Sequence, residues 1–307
     1  MEYVLITGGT GLVGSAITLF LCGKNFKVII LTRNKSRFKP SLNLEYAEWD
    51  VEKRTIDKRV FEKAGYIIHL AGENVAGKRW NKKRKNAIVR SRLESTSFLC
   101  ECLKMYNNKV KAIFCATAIG WYGADPEIPN PKPFNESSSP AADFLGQTCQ
   151  QWEKAIDEFR ELNKRVVIFR TGIVLSNDGG AYVQFRKCVG PGVTVILGTG
   201  NQMVSWIHID DLAAIYYQAL TNDHWQGIYN AVAPNPVSNE QLILAIEKAK
   251  NKNHFKFHIP SFLLKLALGE MSVEVLKSCT VSSLKAEGNG YNYKYPTIVP
   301  AIENLRK

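Results

Sequence analysis

Short runs of β-branched and other apolar residues alternate with longer stretches of helical periodicity through the first half of the chain. That is the pattern a parallel sheet with crossover helices leaves in a sequence. The runs predict strands over Tyr3–Thr7, Lys27–Thr32, Leu44–Trp49, Tyr66–Leu70, Ala112–Ala116 and Arg165–Arg170. Helices are expected near residues 12–24, 88–106 and 145–162. The fold class is therefore α/β: a Rossmann-type doubly wound parallel sheet with a smaller C-terminal α/β substrate region.

Between Trp121 and Phe144 the prolines at 126, 129, 131, 133 and 140 exclude a helix or a central strand. A long loop is expected there, of the kind that lines the ligand crevice at the strand ends. After Arg170, glycines at 172, 179, 180, 190, 192, 198 and 200 break the chain into short apolar pieces. Then come a helix near Asp210–Leu220, another near Asn239–Lys250, the Pro260–Leu268 segment and a polar tail. We read residues 1–170 as a nucleotide-binding domain, to which parts of 200–235 return, and 171–307 as the substrate side. No repeat or low-complexity tract interrupts this division.

Composition narrows the class. Hydrophobic residues at 45% and charged residues at 22% describe a globular chain with a real core. Seven Cys include no C-x-x-C pair and no metal-ligand spacing with His, so reduced cytoplasmic thiols are expected and no metal. With a strand-like run already at Tyr3 no secretory leader is expected, and no apolar stretch approaches the roughly 18–20 residues of a spanning helix. The expectation is a soluble monomer or homodimer with no membrane partner. The net charge of +12 invites a nucleic-acid reading. The one dense run, Lys78, Arg79 and Lys82 to Lys85, reads instead as the exposed start of a helix or as contacts to an anionic cofactor or substrate. No nucleic-acid partner is expected.

The candidate chemistry begins at ITGGTGLVG, directly after a strand and before an amphipathic helix. Gly8 allows the tight turn, Gly11 lets backbone approach a pyrophosphate, and Gly14 lets the helix pack on the sheet. Thr10, Leu12 and Val13 complete the turn and the helix N-terminus that faces the phosphates. An NAD site would place a carboxylate at the end of the second strand, where this chain reads LTRNKSR. Arg33 can pair with a 2′-phosphate, Thr32 adds a hydroxyl, and Lys35 and Arg37 thicken the positive field, which favours NADP(H). Trp49 and Asp50 end the third strand where adenine would lie. Leu70, Ala71 and Gly72 end the fourth, beside the ribose and phosphates. Arg92 either turns toward the cleft to meet a phosphate or stands on the surface.

ITGGTGLVG, HLAGENVAGKRW, ATAIGWYG, DFLGQTCQQWE, RTGIVL and SWIHIDDL together resemble the epimerase-like "epimerase family" branch of the atypical short-chain dehydrogenases. The resemblance spans nearly the whole chain, and PSFLLKLALGEM with the Tyr291–Pro296 segment resembles the C-terminal domain of unknown function that closes those proteins. It implies a Rossmann domain carrying NADP(H), a smaller substrate region, and relatives among nucleotide-sugar epimerases and dehydratases. Those relatives move a proton with a Tyr and a Lys four residues later. Here the Tyr place holds Phe144 or Leu145 and the Lys place Thr148 or Cys149, none of which can do that work. Tyr122 is the first substitute, with a phenol near the fifth strand's end, and Thr117 the second, although Ala118 can occupy that place instead. Packing is the commoner role for an aromatic residue in such a turn. Asp143 and Glu136 can serve as base or substrate ligand, with helix capping the other role for Asp143. His208 suits the start of a helix. Three functions follow: an NADP(H)-dependent oxidoreductase or epimerase-like enzyme, a binder of NADP(H) without turnover, and a nucleic-acid-associated regulator.

Overall fold

The computed structural model describes residues 2–251 and 254–306. One mostly parallel sheet organises it, formed by β1 (Tyr3–Thr7), β2 (Lys27–Thr32), β3 (Leu44–Asp50), β4 (Thr55–Ile56), β5 (Ala64–His69), β6 (Ala112–Ala118), β7 (Arg165–Thr171) and β8 (Gly227–Ala231). Their spatial order is β8-β7-β6-β5-β1-β2-β3-β4, with only β4 antiparallel to its neighbour. The order reverses between β1 and β5, which opens a crevice at the carboxyl ends of those strands.

Both faces of the sheet are buried, which is why its strands read as continuous apolar runs. Val4, Ile6, Val28, Ile30, Phe114 and Phe169 face one core, shared with helices α1 (Leu12–Gly23) and Ile209–Thr221. Leu5, Ile29, Leu31, Ile113 and Ile168 face the other, where α2 (Lys82–Met105) and α3 (Phe144–Asp157) pack. The period of two thus sorts neighbouring residues to opposite layers. A third cluster, around Leu175, Trp206, Leu242 and Ile246, holds the C-terminal region with its two-stranded pairs.

Several boundaries differ from expectation for local reasons. α2 starts at Lys82 because the Asn81 side chain accepts the Arg84 amide and caps it; the basic first turn has no apolar rhythm to betray a helix. α3 stops at Asp157, and the expected remainder is a 3₁₀ turn closed by Asn163 at φ +54°. The tail expected to be polar ends in a helix, Ile298–Leu305, that buries Ile298, Ala301, Ile302 and Leu305. The Pro-rich stretch is a loop, and distant residues hold it. Asp125 accepts bonds from Ser278 Oγ (2.7 Å), the Thr280 amide (2.9 Å) and Thr280 Oγ1 (2.8 Å), and Phe134 exchanges backbone bonds with Thr280 and Ser282. Among the described residues no helix is long and apolar enough to cross a membrane.

Candidate functional site

The turn after β1 is built by steric necessity. Gly8 sits at φ +68°, and a side chain there would stand 2.9 Å from the Leu70 carbonyl. A Cβ on Gly14 would stand 2.4 Å from the Gly8 oxygen, so α1 presses directly on the turn. Gly11 differs: its amide donates to Gly8 O at 3.0 Å, while outward it meets nothing else and is exposed, as is Thr10. No side chain caps α1 and its first turn carries no acidic residue, so the amides around Leu12 and Val13 form an anion-ready end. These features fit a bound pyrophosphate.

A clamp that sequence reasoning missed fixes the opposite lip. Thr7 Oγ1 accepts the amides of Leu70 (3.1 Å) and Ala71 (3.2 Å) and bonds His69 Nδ1 at 2.8 Å, while His69 Nε2 bonds Thr96 Oγ1 at 3.0 Å. Thr96 spends its own proton on Arg92 O (2.7 Å), so the chain closes only with the proton on Nε2. His69 is fully buried and neutral, its pKa pushed down to about 4 by burial. The unfolded chain takes up this proton below about pH 6.5 and the fold does not until about pH 4, so stability falls with pH across that window, by up to about 3 kcal/mol. Urea melts between pH 7 and 4 check this, and His69→Gln is expected to flatten that part of the profile.

At the end of β2, Thr32 Oγ1 accepts the Asn34 amide (3.4 Å), and Arg33, Lys35 and Arg37 are exposed. No carboxylate pairs with Arg33 among the described residues. Trp49, expected beside an adenine, instead stacks on Phe98 in the core and is 5% exposed, so its indole offers no platform. Asp50 caps the following turn by accepting the Glu52 and Lys53 amides. Arg92 turns inward: Nη1 donates to Ile88 O (2.8 Å) and Glu73 O (3.1 Å), the guanidinium lies over Trp152, and it fills the space a side chain on Gly72 would need. Burial lowers its pKa.

Tyr122 and Thr117, the expected acid and its partner, are drawn into a different structure. Arg170 and Glu153 form a bidentate ion pair (2.8 Å for both bonds) with side chains 1% and 7% exposed. Thr117 Oγ1 donates to Glu153 Oε1 (3.0 Å), and Arg170 Nη1 donates to the Tyr122 hydroxyl (3.1 Å). That hydroxyl donates to Asn230 Oδ1 (2.7 Å), and the Asn230 amide is capped by Glu136 Oε1 (2.8 Å). Burial, opposed by Arg170, pushes the Tyr122 phenol up to about 12. A phenol with no exposure and both bonds taken holds β6, β7, β8 and the Pro-rich loop together. Neither Arg170 nor Glu153 was anticipated.

Residues 4–231 match the NAD dependent epimerase/dehydratase family, and residues 259–305 match a domain of unknown function, DUF1731. The chain belongs to the NAD-dependent epimerase/dehydratase family. An epimerase family protein of Staphylococcus aureus is 34% identical over 312 residues, with both chains covered completely. The structure of a human epimerase family protein with NADPH superimposes with a TM-score of 0.82 at 26% identity, covering 99% of each chain. A nucleoside-diphosphate sugar epimerase from Corynebacterium glutamicum gives 0.77 at 31% identity, over 99% of this chain and 58% of that one.

In this family member the start of α3 is apolar where it meets the end of β6. Leu145 lies 3.2 Å from the place a Gly120 side chain would occupy, and Cys149 Sγ donates to Ala118 O (3.7 Å). Asp143 caps α3 through the Gly146 amide (2.7 Å). Its other oxygen lies 3.9 Å from Lys277 Nζ, which also meets Glu274 (3.2 Å). Burial pulls the Lys277 pKa down, but Glu274 and Asp143 outweigh it and hold the ammonium above its ordinary value. Lys277 comes from the C-terminal segment and had no signal in the sequence. The basic run is only partly free: Arg84 pairs with Glu73, Lys85 with Glu270, and Arg79 donates to Leu266 O. His208 caps the helix Ile209–Thr221, its Nδ1 accepting the Asp210 amide.

Proposed function

We propose that this chain binds NADP(H) in the crevice between β1 and β5 and acts as an oxidoreductase or epimerase-like enzyme on a small polar substrate, a nucleotide-linked sugar being one such class. The observation that carries the reading is the pairing of an open, uncapped α1 N-terminus with an unpaired Arg33 at the end of β2. The human relative's complex with NADPH supports it. Gly8, Thr10, Gly11, Leu12, Val13 and Gly14 hold the pyrophosphate, and Thr32 and Arg33 the 2′-phosphate. Asp50, Leu70, Ala71, Gly72 and Arg92 line the rest, with only the backbone of Trp49. When bound, the nicotinamide supplies or accepts hydride. Residues 1–170 with the returning β8 form the nucleotide unit and 171–307 the substrate side, in a cytoplasmic protein whose seven free thiols fit a reducing compartment.

A second reading, cofactor binding without turnover, is favoured by one observation. The Tyr122 and Thr117 hydroxyls are committed to the Arg170–Glu153 network, and α3 offers Leu145 and Cys149 where a proton carrier is needed. If the chain is an enzyme, Asp143 beside Lys277 is the acid–base pair that remains at that helix end.

The test is a fluorescence titration with NADPH and NADH on the wild type and on Arg33→Ala. A charge-assisted pair is worth about 1.5–3 kcal/mol, so the variant is expected to lose roughly 10- to 100-fold of NADPH affinity while NADH is little changed. Absence of binding by either nucleotide overturns the reading. Binding with no nicotinamide oxidation or reduction across a panel of carbonyl compounds and sugar nucleotides selects the second.

A further inference from the structure

From residue 248 to residue 269 the chain contains five lysines, two histidines and no Asp or Glu, alongside Phe255, Phe257, Phe262, Leu263 and Leu266. Monomer surfaces seldom gather large apolar side chains in one place. Here two consecutive elements expose four: the strand Phe255–Ile259 leaves Phe255 73% and Phe257 50% exposed, and the helix Ser261–Leu268 leaves Phe262 66% and Leu266 75% exposed. Phe255 and Phe257 share a strand face by the period of two, and Phe262 and Leu266 share a helix face one turn apart. Only Leu264 of that helix is buried. Among the described residues the strand pairs on one side alone, with Val193–Leu197, and Val193, opposite Phe255, is exposed as well.

The charge decides what this surface meets. Lys256 and Lys265 are exposed and form no ion pair among the described residues. A second copy of the chain would set lysines against lysines, with no carboxylate in the segment to offset them. Leucines beside the phenylalanines add apolar area that stacking on bases does not use. Bulky apolar side chains interspersed with the exposed Lys256 and Lys265 match an anionic bilayer surface: the rings enter the headgroup boundary and the lysine stems reach back to the phosphates. We propose that the Phe255–Leu266 surface docks the protein peripherally on anionic lipid membranes. This revises the expectation of no membrane partner without requiring a spanning helix, and it stands independently of the cofactor reading.

The test is co-sedimentation of the full chain with vesicles of phosphatidylcholine alone and of phosphatidylcholine with phosphatidylserine. Binding is expected only with phosphatidylserine present and to weaken steeply with salt. Phe262→Glu with Leu266→Glu is expected to lower it at least about tenfold. Lys256→Gln with Lys265→Gln, a milder change, is expected to lower it several-fold, with thermal melts unchanged for both variants. No binding to either vesicle overturns the proposal. So does binding that survives the Phe262 and Leu266 replacements, which would reflect net charge alone. Concentration-dependent dimers abolished by those replacements, without vesicle binding, would assign the surface to a second copy and equally overturn it.

Discussion

Replacing Arg170 by Met is expected to destabilise the fold by about 3–5 kcal/mol, because it leaves the Glu153 carboxylate buried without its counter-charge. Glu153→Gln should cost a comparable amount, since it leaves the guanidinium with only neutral acceptors. The double variant Arg170→Met/Glu153→Leu should recover much of either loss, because no unpaired charge then remains inside. Denaturant titration of the three proteins measures the cycle. If the single variants melt like the wild type, the pair is not the internal strut described above. The single variants should also loosen Tyr122, whose hydroxyl sits between Arg170 and Asn230.

Gly14→Ala is expected to abolish measurable NADPH binding and to cost about 1–3 kcal/mol by overpacking. The added methyl would stand 2.4 Å from the Gly8 oxygen and 2.6 Å from Gly9 Cα, both backbone atoms that move only by deforming the turn. Gly23→Ala, at the far end of the same helix, is the control: nothing lies within 4 Å of its added carbon. That variant should match the wild type or gain a few tenths of a kcal/mol from helix propensity. Equilibrium titration and thermal melts of the two variants separate a local steric effect from a general intolerance of substitution in α1.

The sheet was legible in the sequence because its strands are buried on both faces and bounded by turn residues: β1 and β2 lie where their apolar runs predict. The glycine turn was legible because each glycine answers a separate geometric demand. The charged network was not, because Arg170 and Glu153 lie 17 residues apart on different elements and no periodicity couples them. A signal did exist. Arg170 directly follows the apolar run Val166–Phe169 in its strand, and Glu153 shares the helix face of Cys149, Trp152 and Ile156, where a charge is costly unless paired. Tyr122 was read as reactive because strand ends in this fold border the crevice; its direction depends on Asn230, more than a hundred residues away. Lys277 is one lysine among many in sequence, and only the packing of the C-terminal segment sets it beside Asp143.

The bonds at Asp125 carry a consequence for how the protein is made. Its acceptor oxygens are claimed by Ser278 and Thr280, and Ser278 is synthesised 153 residues later. At translation rates of about 5–20 residues per second, the Pro-rich loop waits roughly 10–30 s for the groups that pin it. The nucleotide-binding strands can pair on the ribosome long before that moment. Anchoring of that loop is thus tied to the C-terminal segment, and a nascent polypeptide stalled or cut short before Ser278 would carry a finished glycine turn and a Pro-rich loop without its anchors.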